Sequence, residues 1–179
     1  MFVYKSKYFF IIESIRDINL KNIKNSKKFN IIYRSRKITE NIDKLKEFRK
    51  ICRVKNINFY VSNNIKLANI LRADGVYVSA YNKSLKVAYF KNFRTKIIGS
   101  AHNIKEIRLK ELQNVDYIFL SPLFPSQKNK RGLGIYRFHN LMKKTKKKIV
   151  CLGGLTNKNL KKIKLLKCIG MASISLFHK

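Results

Sequence analysis

Short apolar runs rich in β-branched and aromatic residues recur along the whole chain, and longer lysine-studded segments separate them. The runs fall at residues 8–12, 30–33, 57–61, 75–78, 97–99, 117–121, 149–152 and 171–175. Each is nearly continuous in apolar character rather than alternating. That is the pattern of strands buried on both faces, as in a parallel sheet. Several of the intervening segments carry helical spacing. Ile42, Leu45, Phe48 and Cys52 recur at steps of three and four, and Ile104, Ile107, Leu109 and Leu112 follow that spacing roughly, as do Leu160, Ile163, Leu165 and Leu166. Strand–helix alternation implies a parallel sheet, and eight such units imply closure.

The expectation is therefore an α/β protein, a single (β/α)8 TIM barrel spanning 1–179 as one domain. An open doubly wound sheet is the alternative, but no GxGxxG or GxxxxGK[ST] pattern supports it. At 179 residues the chain is short for this fold, so helices must be trimmed and loops tight. The eighth run lies near the end of the sequence, so the last helix is expected to be short or missing.

Charge narrows the partners. The 41 basic and 9 acidic residues give a net charge of +32, spread along the chain rather than gathered in one segment. Most lysines are read as a solvated outer face whose field attracts anionic metabolites. A specific nucleic-acid reader would interleave exposed aromatics with its cations. Here Phe9, Phe10, Tyr117 and Phe119 sit inside the strand runs, so no specific nucleic-acid partner is expected. Cys52, Cys151 and Cys168 match no metal or disulfide spacing. No segment has signal-peptide or transmembrane character, and a soluble, cytoplasmic protein without a membrane partner is expected.

In such a barrel the chemistry lies in the loops that follow the strands. Arg34 and Arg36 close the second run, spaced to share one face; they read either as a bidentate clamp for a pyrophosphate or as surface arginines of a lysine-rich chain, and only their place at a strand's carboxyl end favours the clamp. His102 follows the fifth run, where a group that titrates near neutrality serves as acid or base; a cap or backbone contact is the plainer role. His139 is placed at a helix start and His178 at the terminus. Pro122 and Pro125, both prolines of the chain, stiffen the loop 121–126, and Lys128, Lys130 and Arg131 follow in a basic flap. Gly153-Gly154 after the seventh run lets backbone N–H groups approach a phosphate, and Ser175 ends the eighth.

Taken together these loops resemble the thiamine phosphate synthase/TenI family. The resemblance rests on Ile98-Gly99-Ser100-Ala101-His102-Asn103, on Asp116 to Ser126 and on Leu152-Gly153-Gly154-Leu155-Thr156. Ala73-Asp74-Gly75-Val76-Tyr77-Val78 resembles the family's fourth-strand motif. The resemblance implies an enzyme of thiamine formation that couples an aminopyrimidine diphosphate to a thiazole phosphate and releases pyrophosphate. TenI members instead shift a proton on a carboxythiazole phosphate, and His102 matches their strand-five histidine. A non-catalytic ligand-binding relative is the third possibility. By resemblance, Arg34, Arg36, Ser126 and Lys128 face the pyrophosphate and pyrimidine, and Gly153, Gly154, Ile174 and Ser175 hold the thiazole phosphate.

The chain departs from the family at the metal. Mg²⁺ is the implied cofactor, but the two aspartate positions read as Asn64, after Asn63, and Asn82. Neutral amides are poor Mg²⁺ ligands, so no metal residue is assigned. Ile32 stands in place of a glutamine, and Lys128 and Asn129 in place of a threonine and a lysine. Lys128 or Lys130 is positioned to supply part of the missing metal charge. A homodimer is the oligomer considered.

Overall fold

A computed structural model describes residues 7–23, 26–35, 40–92, 94–126 and 130–173. Eight parallel strands close on themselves in chain order. They are β1 (Lys7–Ile12), β2 (Phe29–Tyr33), β3 (Asn58–Ser62), β4 (Gly75–Val78), β5 (Lys96–Ala101), β6 (Tyr117–Leu120), β7 (Lys148–Leu152) and β8 (Gly170–Ser173). Pairing of β8 with β1, Tyr8 opposite Met171, completes the ring. Each expected strand is present within two residues at every described end, and residues 174 and 175 lie outside the described residues.

The continuous apolar runs conceal an alternation of partners. Phe9, Ile32, Tyr60, Tyr77, Phe119 and Val150 point inward and fill the barrel. Their rings interlock, with the Phe9 and Phe119 centroids 4.9 Å apart and those of Tyr77 and Phe119 5.6 Å apart. Successive side chains on a strand face opposite ways. The neighbours Ile31, Phe59, Val76, Ile118 and Ile149 therefore pack outward against the helices.

The outer layer is thin. The helices are α1 (Ile42–Val54), α2 (Ile65–Ile70), α3 (Ile104–Leu112), α4 (Gly134–Met142) and α5 (Leu160–Ile163). Among the described residues, short 3-10 turns join β1 to β2, and a 3-10 helix, Leu85–Phe90, joins β4 to β5. This economy lets a short chain close an eight-stranded barrel. The segment after Ser173, where the last helix was expected to be short or missing, lies outside the described residues.

Two of the few acids pin the barrel at the same register. Asp74, just before β4, accepts from the Phe59 N–H of β3 at 2.7 Å. Asp116, just before β6, accepts from the Ile97 N–H of β5 at 2.8 Å. Each also holds a cation, Arg49 at 2.9 Å and Lys91 at 3.2 Å.

Helix α3 departs from its expected face. Ile107 is buried, but Ile104 and Leu112 are exposed, and Lys110 is fully buried instead. The burial is tolerated because Lys110 Nζ donates to Ser79 O (2.8 Å), Asn82 O (3.0 Å) and Gln113 Oε1 (2.8 Å). Gln113 Nε2 donates to Asn82 O and Ser84 O. Desolvation pushes the Lys110 ammonium down to about 8. The reading of lysine as a solvated face thus fails here, and this lysine fixes the loop after β4. Leu165, expected to line α5, is likewise exposed beyond it, and His139 lies in the last turn of α4 rather than at its start.

Candidate active site

All eight strands run the same way, so the loops that leave their carboxyl ends share one mouth. The chain leaves β2 beside the end of β1, with the Arg34 N–H donating to Ile12 O at 2.8 Å. Arg34 lies two residues beyond the inward Ile32, and its charge acts on the buried Tyr77 phenol. Burial pushes that phenol up, and its contact with Ser100 opposes the shift. Ser100 thus bonds the Tyr77 phenol, and the Arg34 charge reaches it from the end of β2.

His102 sits beyond β5, exposed, with its ring held by the next loop. Nδ1 lies 2.9 Å from the Ser121 carbonyl oxygen and 3.1 Å from Ser121 Oγ. A carbonyl oxygen only accepts, which assigns the proton to Nδ1 and leaves the lone pair on Nε2 of the neutral ring. His102 is not the helix cap. Asn103 caps α3 by accepting from the Glu106 N–H at 3.0 Å, and Glu106 Oε2 accepts from the His102 N–H at 2.7 Å. Asparagine followed three residues later by glutamate is a capping pattern.

The β6 and β7 loops form one unit. The Leu123 N–H donates to Leu152 O at 2.9 Å, and the Phe124 N–H to Gly153 O at 3.1 Å. The Ser121–Pro122 bond is cis. Gly153 (φ 94°) and Gly154 (φ 65°) adopt left-handed backbone. They also allow close approach. A Cβ on Gly153 would stand 2.9 Å from Pro122 Cα, and one on Gly154 2.3 Å from Phe124 O. Packing therefore accounts for the paired glycines as well as a phosphate does. Among the described residues, no backbone acceptor receives either glycine N–H. Ser126 follows in the same loop, partly buried.

Four expected site residues, Arg36, Lys128, Ile174 and Ser175, lie outside the described residues. Two residues at the mouth were not singled out from sequence. Ser14 and Glu40 tie the β1 and β2 loops, Glu40 Oε1 accepting from Ser14 Oγ at 2.5 Å and from the Ile15 N–H at 3.0 Å. A separation of 26 residues hides that pair from any local pattern.

The expected metal corner holds amides already in use. Asn64 Oδ1 accepts from the Leu67 N–H at 2.9 Å and caps α2. Asn82 Oδ1 accepts from the Ser84 N–H at 3.0 Å, and its Nδ2 donates to Asn63 Oδ1 at 3.2 Å. Asn63 Oδ1 also accepts from the Ser79 N–H at 3.0 Å. A cavity of about 450 Å³ beside them is also lined by Lys66 and Lys86. Engaged neutral amides beside two cations do not fit Mg²⁺, which prefers carboxylates in octahedral array. Among the described residues, no group of three His, Cys, Asp or Glu side chains gathers.

Comparison with known proteins gives the family and the fold. A family model described as thiamine monophosphate synthase matches residues 20–177. A thiamine-phosphate synthase of Prochlorococcus marinus is 32% identical over 139 residues, 75% of this chain and 40% of that protein. One of Staphylococcus carnosus is 32% identical over 136 residues, 73% of this chain and 63% of its own. The chain thus spans less than two thirds of either relative. In fold it resembles the thiamine phosphate pyrophosphorylase of Pyrococcus furiosus, with a TM-score of 0.74, 20% identity and coverage of 96% and 87% of the two chains. Among the described residues no helix is long and apolar enough to cross a membrane. On the family match over residues 20–177, the chain belongs to the thiamine monophosphate synthase family.

Proposed function

We propose that the chain is a cytoplasmic transferase that joins an aminopyrimidine diphosphate to a thiazole phosphate and releases pyrophosphate. One observation carries the reading: Arg34, the His102–Ser121 pair and the N–H groups of Gly153 and Gly154, which no described backbone acceptor receives, occupy one end of one barrel. In the reaction, the bond between the pyrimidine methylene and its diphosphate oxygen breaks, and the thiazole nitrogen forms the new C–N bond. Arg34 holds the departing pyrophosphate, and the Gly153-Gly154 turn holds the thiazole phosphate by its N–H groups. The test is incubation of the purified chain with both heterocycles, with and without Mg²⁺. Thiamine phosphate should form, and its absence under both conditions would refute the reading.

A tautomerase of the TenI kind is the second reading, favoured by the pinned ring of His102. With Nδ1 tied to Ser121 O, Nε2 is free to take a proton from a carboxythiazole phosphate. Unchanged proton exchange in His102→Ala would exclude it.

A further inference from the structure

The end of the barrel opposite the mouth, where the strands begin, carries its own cavity of about 840 Å³. The C-terminal turns of α1 and α2, the residue Lys27 before β2 and the approaches to β4 and β5 line it. Five cations, Lys27, Arg49, Arg53, Arg72 and Arg94, face one carboxylate, Asp74.

That carboxylate is already spent. Its Oδ1 takes Arg49 at 2.9 Å, and its Oδ2 takes the Phe59 N–H at 2.7 Å. Arg49, itself buried, also donates through Nε to Arg72 O at 3.3 Å. The two helix ends contribute about half a negative charge each. Together with Asp74 they leave the cavity strongly positive. Arg72 adds a second signal. Its φ is +45°, in the left-handed region, whereas the other described non-glycine residues with positive φ are Asn56, Asn63 and Asn114. Asparagine or glycine is at ease there, and arginine is not. The left-handed turn itself ends α2, with the Ala73 N–H donating to Ala68 O at 2.9 Å, and it aims an arginine where asparagine would serve the turn better. The volume falls among small-molecule sites and far exceeds what one phosphate fills. Phe90 contributes an aromatic wall.

The geometry points to a second anion site at the amino-terminal end of the barrel, one that takes a polyphosphate chain, alone or carrying a heterocyclic base. Arg49 is fixed by Asp74 and shapes the floor. Arg53 and Arg72 supply the guanidinium forks that suit phosphate oxygens, and Arg94 adds charge to the lining. The site is independent of the mouth.

The test is calorimetric titration of the full chain with inorganic triphosphate, and separately with ATP free of divalent cations, near physiological salt. An Arg34→Ala background removes the mouth's own response. Arg72→Asn suits the left-handed backbone and Arg53→Gln is exposed, so the double variant should fold. It should weaken triphosphate binding by about tenfold or more, while Lys161→Gln with Lys162→Gln, equal in charge lost, should leave it unchanged. Tighter binding of ATP than of triphosphate would assign the base to the Phe90 wall; equal binding would assign the chain alone. Equal weakening in both double variants would overturn the proposal, because total charge would then suffice. So would preference for an RNA lacking a 5′ phosphate at equal phosphate concentration. Failure of thiamine phosphate synthesis would leave this result intact, and loss of binding here would not touch the mouth.

Discussion

The stem of Lys110 fills the space that a side chain at residue 99 would need: a Cβ on Gly99 would stand 2.8 Å from Lys110 Cδ and 3.0 Å from Cγ. Gly99 faces outward from β5, so the smallest residue on the strand admits the stem of a buried lysine from the helix. Gly99→Ala should cost about 1–3 kcal/mol by overpacking, read as a lowered denaturant midpoint. An unchanged midpoint would mean that the lysine stem moves aside freely.

The same lysine makes stability depend on pH with an unusual sign. Its folded value is about 8 against 10.5 for the ordinary group. Between those values the unfolded chain binds more protons, so raising pH favours the folded state. Wild type should therefore gain stability relative to Lys110→Met from pH 8 to 10.5. Chemical denaturation of both proteins across that window checks it, and a constant difference would contradict it.

Burial of this lysine was not legible in the sequence. Ile104, Ile107, Leu109 and Leu112 offered a plausible apolar stripe, and nothing local marks Lys110. Its partners, Ser79 and Asn82, lie about 30 residues earlier in the chain. The strands were legible because a parallel barrel buries both faces of each, leaving uninterrupted apolar runs. The mouth residues were legible as positions after strands. What could not be read was the contact that gives each its role, such as Ser121 behind His102 or Ser14 with Glu40.

The Ser121 contact to His102 separates into two parts. The backbone carbonyl fixes the tautomer, and the hydroxyl at 3.1 Å only adds to it. Under the tautomerase reading, Ser121→Ala should therefore retain proton exchange on a carboxythiazole phosphate within a few-fold, while His102→Ala should lose about 10²–10⁴-fold. Comparable losses in both variants would give the hydroxyl a chemical role.

Gly154→Ala should damage the β6–β7 unit. Its Cβ would stand 2.3 Å from Phe124 O and 2.4 Å from Pro125 O, on a backbone with φ of +65°. Left-handed strain and displaced backbone together should cost roughly 2–4 kcal/mol. A thermal melt measures the loss, and a wild-type melting temperature would show that the loops part readily.

The most direct measurement of the shared mouth is an NMR titration of thiazole phosphate followed by pyrophosphate, observing the Arg34 Nε and His102 ring resonances together. The account predicts that both move, saturably, and that each is perturbed in the complex holding both ligands. Resonances that stay still, or that respond only to ligand bound elsewhere, would contradict one shared anion-holding mouth at the carboxyl ends of the strands.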